Sequence, residues 1–324
     1  MAEKGGDLRV GGKAGPTGAG GRLPFLASAL GAVLLWSTSF VATKVALGEV
    51  PPLTLGAARF LVAACVLGVA VGAVGGVRRP PPADLGRLAV GGLLGITVYF
   101  SMENFGVHLA TASDAALLVA SYPAITMLLE ILLYRTRVSP VRFAGVGLAM
   151  LGVYLIVGGS PGPSGTGRLF GDVLLVATGF VWALYNFSTR GVVRRYPMLT
   201  VVFYQTLIGA AAFLPLALLE SGSWRTPGPL SLLVVAYLGL FCSLAAFWLY
   251  AHGLKGLDAG SAVNTLNLVP VFGVLVAVVV LGEPVGVSQL LGGLVVVGGV
   301  TLGMKGSPNG PEGTEAVTTE ARIG

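Results

Sequence analysis

Apolar stretches long enough to span a lipid bilayer recur along the chain, separated by short breaks rich in charge, proline or glycine. They lie near residues 24–47, 53–75, 88–110, 112–134, 141–158, 171–190, 198–219, 230–253, 260–281 and 287–304. A membrane-crossing helix needs roughly 17 to 25 such residues. The runs lack the alternation of barrel strands, and lipid offers no hydrogen bond to an open backbone. The pattern predicts an all-α integral membrane protein with ten transmembrane helices.

Composition agrees. Only 10% of the 324 residues are charged, 54% are hydrophobic, and the mean hydropathy is +0.85. A soluble domain carries about 25% charged residues to cover its surface. The net charge of +6 raises nucleic acid as a partner, but the basic residues lie in short loops between apolar runs. Membrane orientation accounts for them, and no nucleic-acid partner is expected. Residues 1–22 are Gly-rich without an apolar core and read as a disordered cytoplasmic tail, not a signal peptide; residues 306–324 read alike. Cys65 and Cys242 sit inside apolar runs and read as packing residues.

Orientation follows from lysine and arginine. With the N-terminus cytoplasmic, sixteen of the 20 fall inside, in the tails and in the loops carrying Arg78–Arg87, Arg135–Arg142, Arg190–Arg195 and Lys255. Only Arg168 and Arg225 fall outside, while Lys44 and Arg59 lie within spans. Both termini are therefore expected in the cytoplasm.

The chain also matches itself. At a shift of 147, Gly106 meets Gly253, Pro123 meets Pro270, Gly145 meets Gly292 and Gly152 meets Gly299; at 146, Trp36 meets Trp182. The loop charges do not follow: Arg135, Arg137 and Arg142 fall opposite Gly282, Pro284 and Gln289. Five spans are an odd number, so a second copy enters the membrane upside down and its loop charges must exchange sides. Two inverted five-helix repeats are expected, at 23–160 and 168–305, the arrangement of inverted-repeat transporters.

The segment "NLVPVFGVLVAVVVLGEPVGVSQLLGGLVVVGGVTL" resembles the end of the EamA-type domain of the drug/metabolite transporter superfamily, and "LLWSTSFVATKVAL" with "PPLTLGAARF" resembles its start. The likeness covers about residues 26–304. It implies a small-metabolite carrier of the cell membrane. The first copy departs from the family pattern: Thr136 stands where Glu283 stands in the second.

Candidate site residues are the polar and aromatic side chains inside spans. Asn264 and Asn267 share one face of span nine, and Trp182, Tyr185 and Asn186 one face of span six. Trp36 with Ser39, Phe40 and Thr43 lines span one, Tyr99 and Glu103 lie on span three, and Tyr250 on span eight. Polar groups in a bilayer core face the bundle interior; helix–helix hydrogen bonding and interfacial anchoring are the competing roles. Pro123 and Pro270 each remove a helical N–H and kink spans four and nine, either beside a binding site or purely for packing. Among the charges, Arg59 is expected to pair with Glu103, Lys44 to snorkel outward, Asp114 to begin a helix, Glu130 to reach Arg135, and Glu283 to lie at the surface. The glycines of spans five and ten are read as close-packing positions, with a dimer contact as the alternative.

No H-E-x-x-H or Walker motif, metal-ligand cluster or cofactor signature is present. The function expected is a secondary carrier exporting a small metabolite, such as an amino acid or related amphipathic compound, by alternating access. Protons or another ion are candidate coupling partners, and the protein is a monomer or homodimer. The rivals are a membrane-embedded enzyme and a non-transporting channel or scaffold.

Overall fold

The computed structural model describes residues 19–134, 139–159, 165–257 and 265–305. The expected terminal tails thus lie almost wholly outside the described residues, although the first helix already begins at Ala19. Every regular element among the described residues is helical.

The first half contains α1 (Ala19–Ala46), α2 (Pro52–Ala73), α3 (Pro82–Gly92) continued by a π turn at Leu93–Val98 into α4 (Tyr99–Leu109), then α5 (Ala112–Val119), α6 (Tyr122–Tyr134) and α7 (Pro140–Gly159). The second half contains α8 (Thr166–Val193), α9 (Met198–Leu218), α10 (Pro229–Tyr237) continued by a π stretch at Leu238–Ala245 into α11 (Ala246–Gly253), then α12 (Val269–Val276) and α13 (Val287–Lys305). Proline opens α2, α3, α10 and α12, where its missing N–H costs nothing and its fixed φ suits the first turn. The helices are apolar on most sides, so outward-facing residues such as Leu132, Val279 and Leu294 are themselves hydrophobic, as lipid contact requires.

Among the described residues, eight helices are long and apolar enough to cross a membrane. The pair Ala112–Val119 and Tyr122–Leu133 also passes in length and hydropathy when taken together, as a broken span or a re-entrant loop bent by 48° at Ala120–Ser121, and a shorter apolar helix occupies Val269–Leu281. The bend falls immediately before Pro123; a matching turn at Asn267–Leu268 falls before Pro270, 147 residues on. The π stretches of α3–α4 and α10–α11 overlap at the same shift.

Packing between the halves is reciprocal. α1 packs on α11 and α12 as α8 packs on α4, α5 and α6; α2 meets the π stretch of the second half as α9 meets that of the first; α2 pairs with α9 and α7 with α13. The α7–α13 crossing is built on glycine. A Cβ on Gly145 would stand 2.3 Å from the Gly303 nitrogen, and one on Gly299 2.5 Å from the Ala149 nitrogen. On Gly152 it would stand 2.6 Å from the Gly292 carbonyl oxygen, and on Gly292 2.7 Å from that of Gly152. Only glycine permits backbones this close. These residues pack within the chain, whereas Gly298 has open space before it.

Candidate functional site

The candidate residues fall into two clusters, one on each reciprocal α1–α11 and α8–α4 contact. In the first, the Trp36 ring lies 5.4 Å from Tyr250 and 5.2 Å from Phe247. Beside it, Thr38 and the Tyr237 hydroxyl are 2.6 Å apart. Ser37, one position from Trp36, shares its hydroxyl proton between the carbonyls of Val33 (2.7 Å) and Val269 (3.2 Å), tying α1 to the start of α12.

In the second cluster, Trp182 lies 5.8 Å from Tyr99 and 5.2 Å from Tyr185. The hydroxyls of Tyr99 and Tyr122 are 3.2 Å apart, and Tyr122 reaches on to Thr178. Tyr185 donates to Gln205 at 3.2 Å. Tyr99 and Glu103 stand one helical turn apart on α4, both buried. The chain turns at Ala120–Ser121 and restarts at Tyr122, so the bend presents Tyr122 to Tyr99 and Thr178.

Several expectations are corrected. Arg59 and Glu103 are both buried and within electrostatic range, but they make no direct ion pair. Arg59 Nε donates to Ser243 Oγ at 2.7 Å, and the guanidinium lies 4.4 Å from the Phe100 ring centre. A hydroxyl from the other half and an aromatic face thus serve part of the cation, and its Nη1 is buried with no hydrogen-bond partner. Lys44 does not snorkel away: its Nζ donates to the carbonyls of Val107 (2.7 Å), His108 (3.1 Å) and Ala110, neutralising the C-terminal end of α4. Among the described residues Glu130 pairs with Arg142, with Arg190 4.0 Å away, while its expected partner Arg135 lies outside the described residues. Asp114 does stand in the first turn of α5, where its N–H is capped by Thr111, but its carboxylate reaches across to Arg168 at 2.6 Å. Asn186 donates to the Trp182 carbonyl within its own helix at 2.9 Å. Asn267 is half-buried in the turn before Pro270, and Asn264 lies outside the described residues.

Glu283 has a defined task. Gly282 adopts φ +64°, which ends the helix and turns the next residue back. Glu283 then accepts hydrogen bonds from the N–H groups of Ala112 and Ser113, both at 2.9 Å, and from the Ser113 hydroxyl at 2.7 Å. Glu220 does the same for α2 through Leu53, Thr54 and the Thr54 hydroxyl, and Glu49 accepts from Gly228 before α10. Each carboxylate serves a helix N-terminus of the opposite half, where its charge is best placed. The other end of the bundle is held by Asp84 with Tyr196, Arg195 and Arg87.

Sequence reasoning missed Tyr122, Thr178, Gln205 and Phe247. Tyr122 was signalled by its place just before Pro123. Thr178 and Gln205 carry no local signal and join the cluster only through helix packing. An apolar groove of about 370 Å³ between α7 and α8, lined by residues such as Val153, Tyr154 and Val173, is separate from both clusters. No group of metal-ligating side chains occurs among the described residues.

Comparisons with known proteins bear on the whole arrangement. The chain is 30% identical over 271 residues to a probable terminal-alkyne amino-acid exporter of Streptantibioticus cattleyicolor, covering 83% of this chain and 90% of that one. It is 29% identical over 272 residues to an uncharacterized transporter of Archaeoglobus fulgidus, covering 83% and 93% of the two chains. A probable amino-acid metabolite efflux pump of Salmonella typhimurium is 27% identical over 293 residues, covering 86% and 94%. One solved crystal structure aligns with a TM-score of 0.60 at 25% identity, over 86% of this chain and 97% of that one. The profile of the EamA-like transporter family matches twice, at residues 24–158 and 169–304. These matches and the apolar helices make the chain a multi-pass plasma-membrane protein and a transporter rather than an enzyme, and it belongs to the EamA-like transporter family.

Proposed function

We propose that this protein is a secondary carrier that exports an amino acid or related amphipathic metabolite by alternating access. Two inverted five-helix halves, 23–160 and 168–305, rock about the α7–α13 crossing, with both termini in the cytoplasm. Span four is then the bent pair α5–α6, and span nine is completed by the short helix at Val269–Leu281. The observation that carries this reading is the pair of clusters on reciprocal contacts, Trp36–Tyr250 and Trp182–Tyr99 with Glu103. Aromatic faces with polar tips suit the apolar part of an amphipathic solute, and a buried carboxylate suits its ammonium group. Pro123 and Pro270 are proposed to serve the same purpose from the two sides, each starting a helix beside a turn at the level of the site. Two relatives named for amino-acid export support the solute class.

The test has two parts. Purified full-length protein in liposomes is preloaded with an unlabelled amino acid, and counterflow of the radiolabelled one is measured across a panel. Saturable exchange of at least one member is expected; no exchange of any member overturns the solute class. Single cysteines at Gly222 and Gly165 should react with an impermeant thiol reagent on intact cells, while those between Arg78 and Arg87 should be shielded. The opposite labelling overturns the orientation.

A further inference from the structure

Among the described residues at the end of the bundle closed by Glu49, Glu220 and Glu283, one buried carboxylate oxygen is left without a donor. Asp114 in α5 and Arg168 and Asp172 in α8 meet there with Gln289 of α13. Asp114 and Asp172 are 0% and 1% exposed. Asp114 is fully served: Arg168 Nη2 lies 2.6 Å from its Oδ2, and Gln289 Nε2 donates to its Oδ1 at 2.6 Å. Asp172 is not. Its Oδ2 is 4.0 Å from Arg168 Nε, and its Oδ1 is buried with no hydrogen-bond partner. The contrast with Glu283 and Glu220, each accepting three hydrogen bonds, sets Asp172 apart.

The surrounding charges do not relieve it. Lys44 is committed to three carbonyls at the end of α4 and is in electrostatic range of Glu283 and Asp114. Glu283 caps α5, and His108 is exposed. Among the described residues, Asp114, Asp172 and Glu283 stand against Arg168 and Lys44, which leaves one negative charge in excess there. A buried anion with no donor on one oxygen is costly, and adding a single proton removes both the charge and the unsatisfied acceptor.

We propose that Asp114, Arg168 and Asp172 form a proton-binding site in which Asp172 takes up one proton and Arg168 is the cation that two carboxylates share. The step is simple: the carboxylate of Asp172 gains a proton, no other bond changes, and the cluster becomes neutral. The site straddles the halves, because Asp114 belongs to the first and the other residues to the second. On the alternating-access reading, parting the halves at this end takes Asp114 away from Arg168. The guanidinium then turns to Asp172, which releases its proton, so the shared arginine couples protonation to closure.

The test reads the proton itself and needs no solute, so failure of the transport reading leaves it intact. Infrared difference spectra of the full-length protein in liposomes are recorded through a pH titration. The protonated-carboxyl band expected at neutral pH is lost in Asp172→Asn and kept in Glu103→Gln, which controls for the buried carboxyl on α4. Asp172→Asn is close to isosteric with the protonated acid, so its folded yield should match wild type. Arg168→Gln removes the shared cation and should move the disappearance of the band upward by about one pH unit or more. A wild-type protein whose spectrum shows no neutral-pH band attributable to Asp172 overturns the site. An unchanged titration in a folded Arg168→Gln overturns the shared-arginine arrangement.

Discussion

The two halves of this protein have the same scaffold and different chemistry. Gly145 and Gly152 on α7 do for Gly299 and Gly292 on α13 what those do in return, and the turns before Pro123 and Pro270 fall in register. At the candidate site the equivalence fails. Trp36 and Trp182 correspond, but the position of Tyr250 opposite Trp36 is that of Glu103 on the helix facing Trp182. Likewise Arg59 corresponds to Gln205: one donates to Ser243 of the other half, the other accepts from Tyr185. A rocking scaffold needs equal halves, whereas a solute with unlike ends needs an unequal site. On the proposed amino-acid reading, a solute's ammonium end lies toward Glu103 and its apolar part toward Trp36.

The largest effect tests the shared scaffold. Gly152→Leu and Gly299→Leu each push a side chain into the opposing backbone and should destabilise by about 3 kcal/mol, the upper range for overpacking. The two losses should be alike in melting temperature and in monodisperse yield, and Gly298→Leu should cost little. Markedly unequal losses break the equivalence of the halves.

Next comes the unequal site. Glu103→Gln should lower transport of an amino-bearing solute about 10- to 100-fold, the loss of one hydrogen bond to a charged group. Its folded yield should stay near wild type, because Ser243 and Phe100 hold Arg59. Tyr250→Phe at the equivalent position should cost only about 2- to 10-fold. Equal effects in counterflow assays would abolish the proposed polarity of the site.

The kink comparison follows. Pro123→Ala and Pro270→Ala should both insert normally and both slow transport, with Pro270→Ala read against Asn267 at its turn. Wild-type rates in both reduce the prolines to packing elements.

The smallest effect concerns the caps that join the halves. Hydrogen bonds from the Ser231 hydroxyl and the Gly228 N–H hold the exposed Glu49 carboxyl below the usual carboxylate range. A depressed folded-state value means that the stabilisation is present above the unfolded carboxylate value, about 4.3, and is lost as pH falls through the folded one. Glu49→Gln should therefore lower the melting temperature slightly at pH 7, and the gap should close in acid. A gap that persists there removes the carboxylate charge from the cap.

Much of this was legible in the chain itself. Lipid forces unbroken apolar helices, so runs such as 53–75 and 198–219 could be read directly and reappear as α2 and α9. The glycine and proline positions were legible because their backbone constraints leave a fixed period. The partners of the charges were not. Arg59 finds Ser243 and Asp114 finds Arg168 far along the chain, and which group faces a buried charge is settled by how helices from the two halves cross. Lys44 shows the same limit: no span pattern reveals that a helix C-terminus, with three open carbonyls, ends beside it. Sequence alone determined that the chain is a membrane protein of repeated helices, because hydropathy and backbone restriction are local properties. Tertiary structure alone decided that Tyr122 and Thr178 join Tyr99 and that one oxygen of Asp172 lacks a donor, because a hydrogen bond in a dry interior depends on atoms brought within about 3 Å by packing.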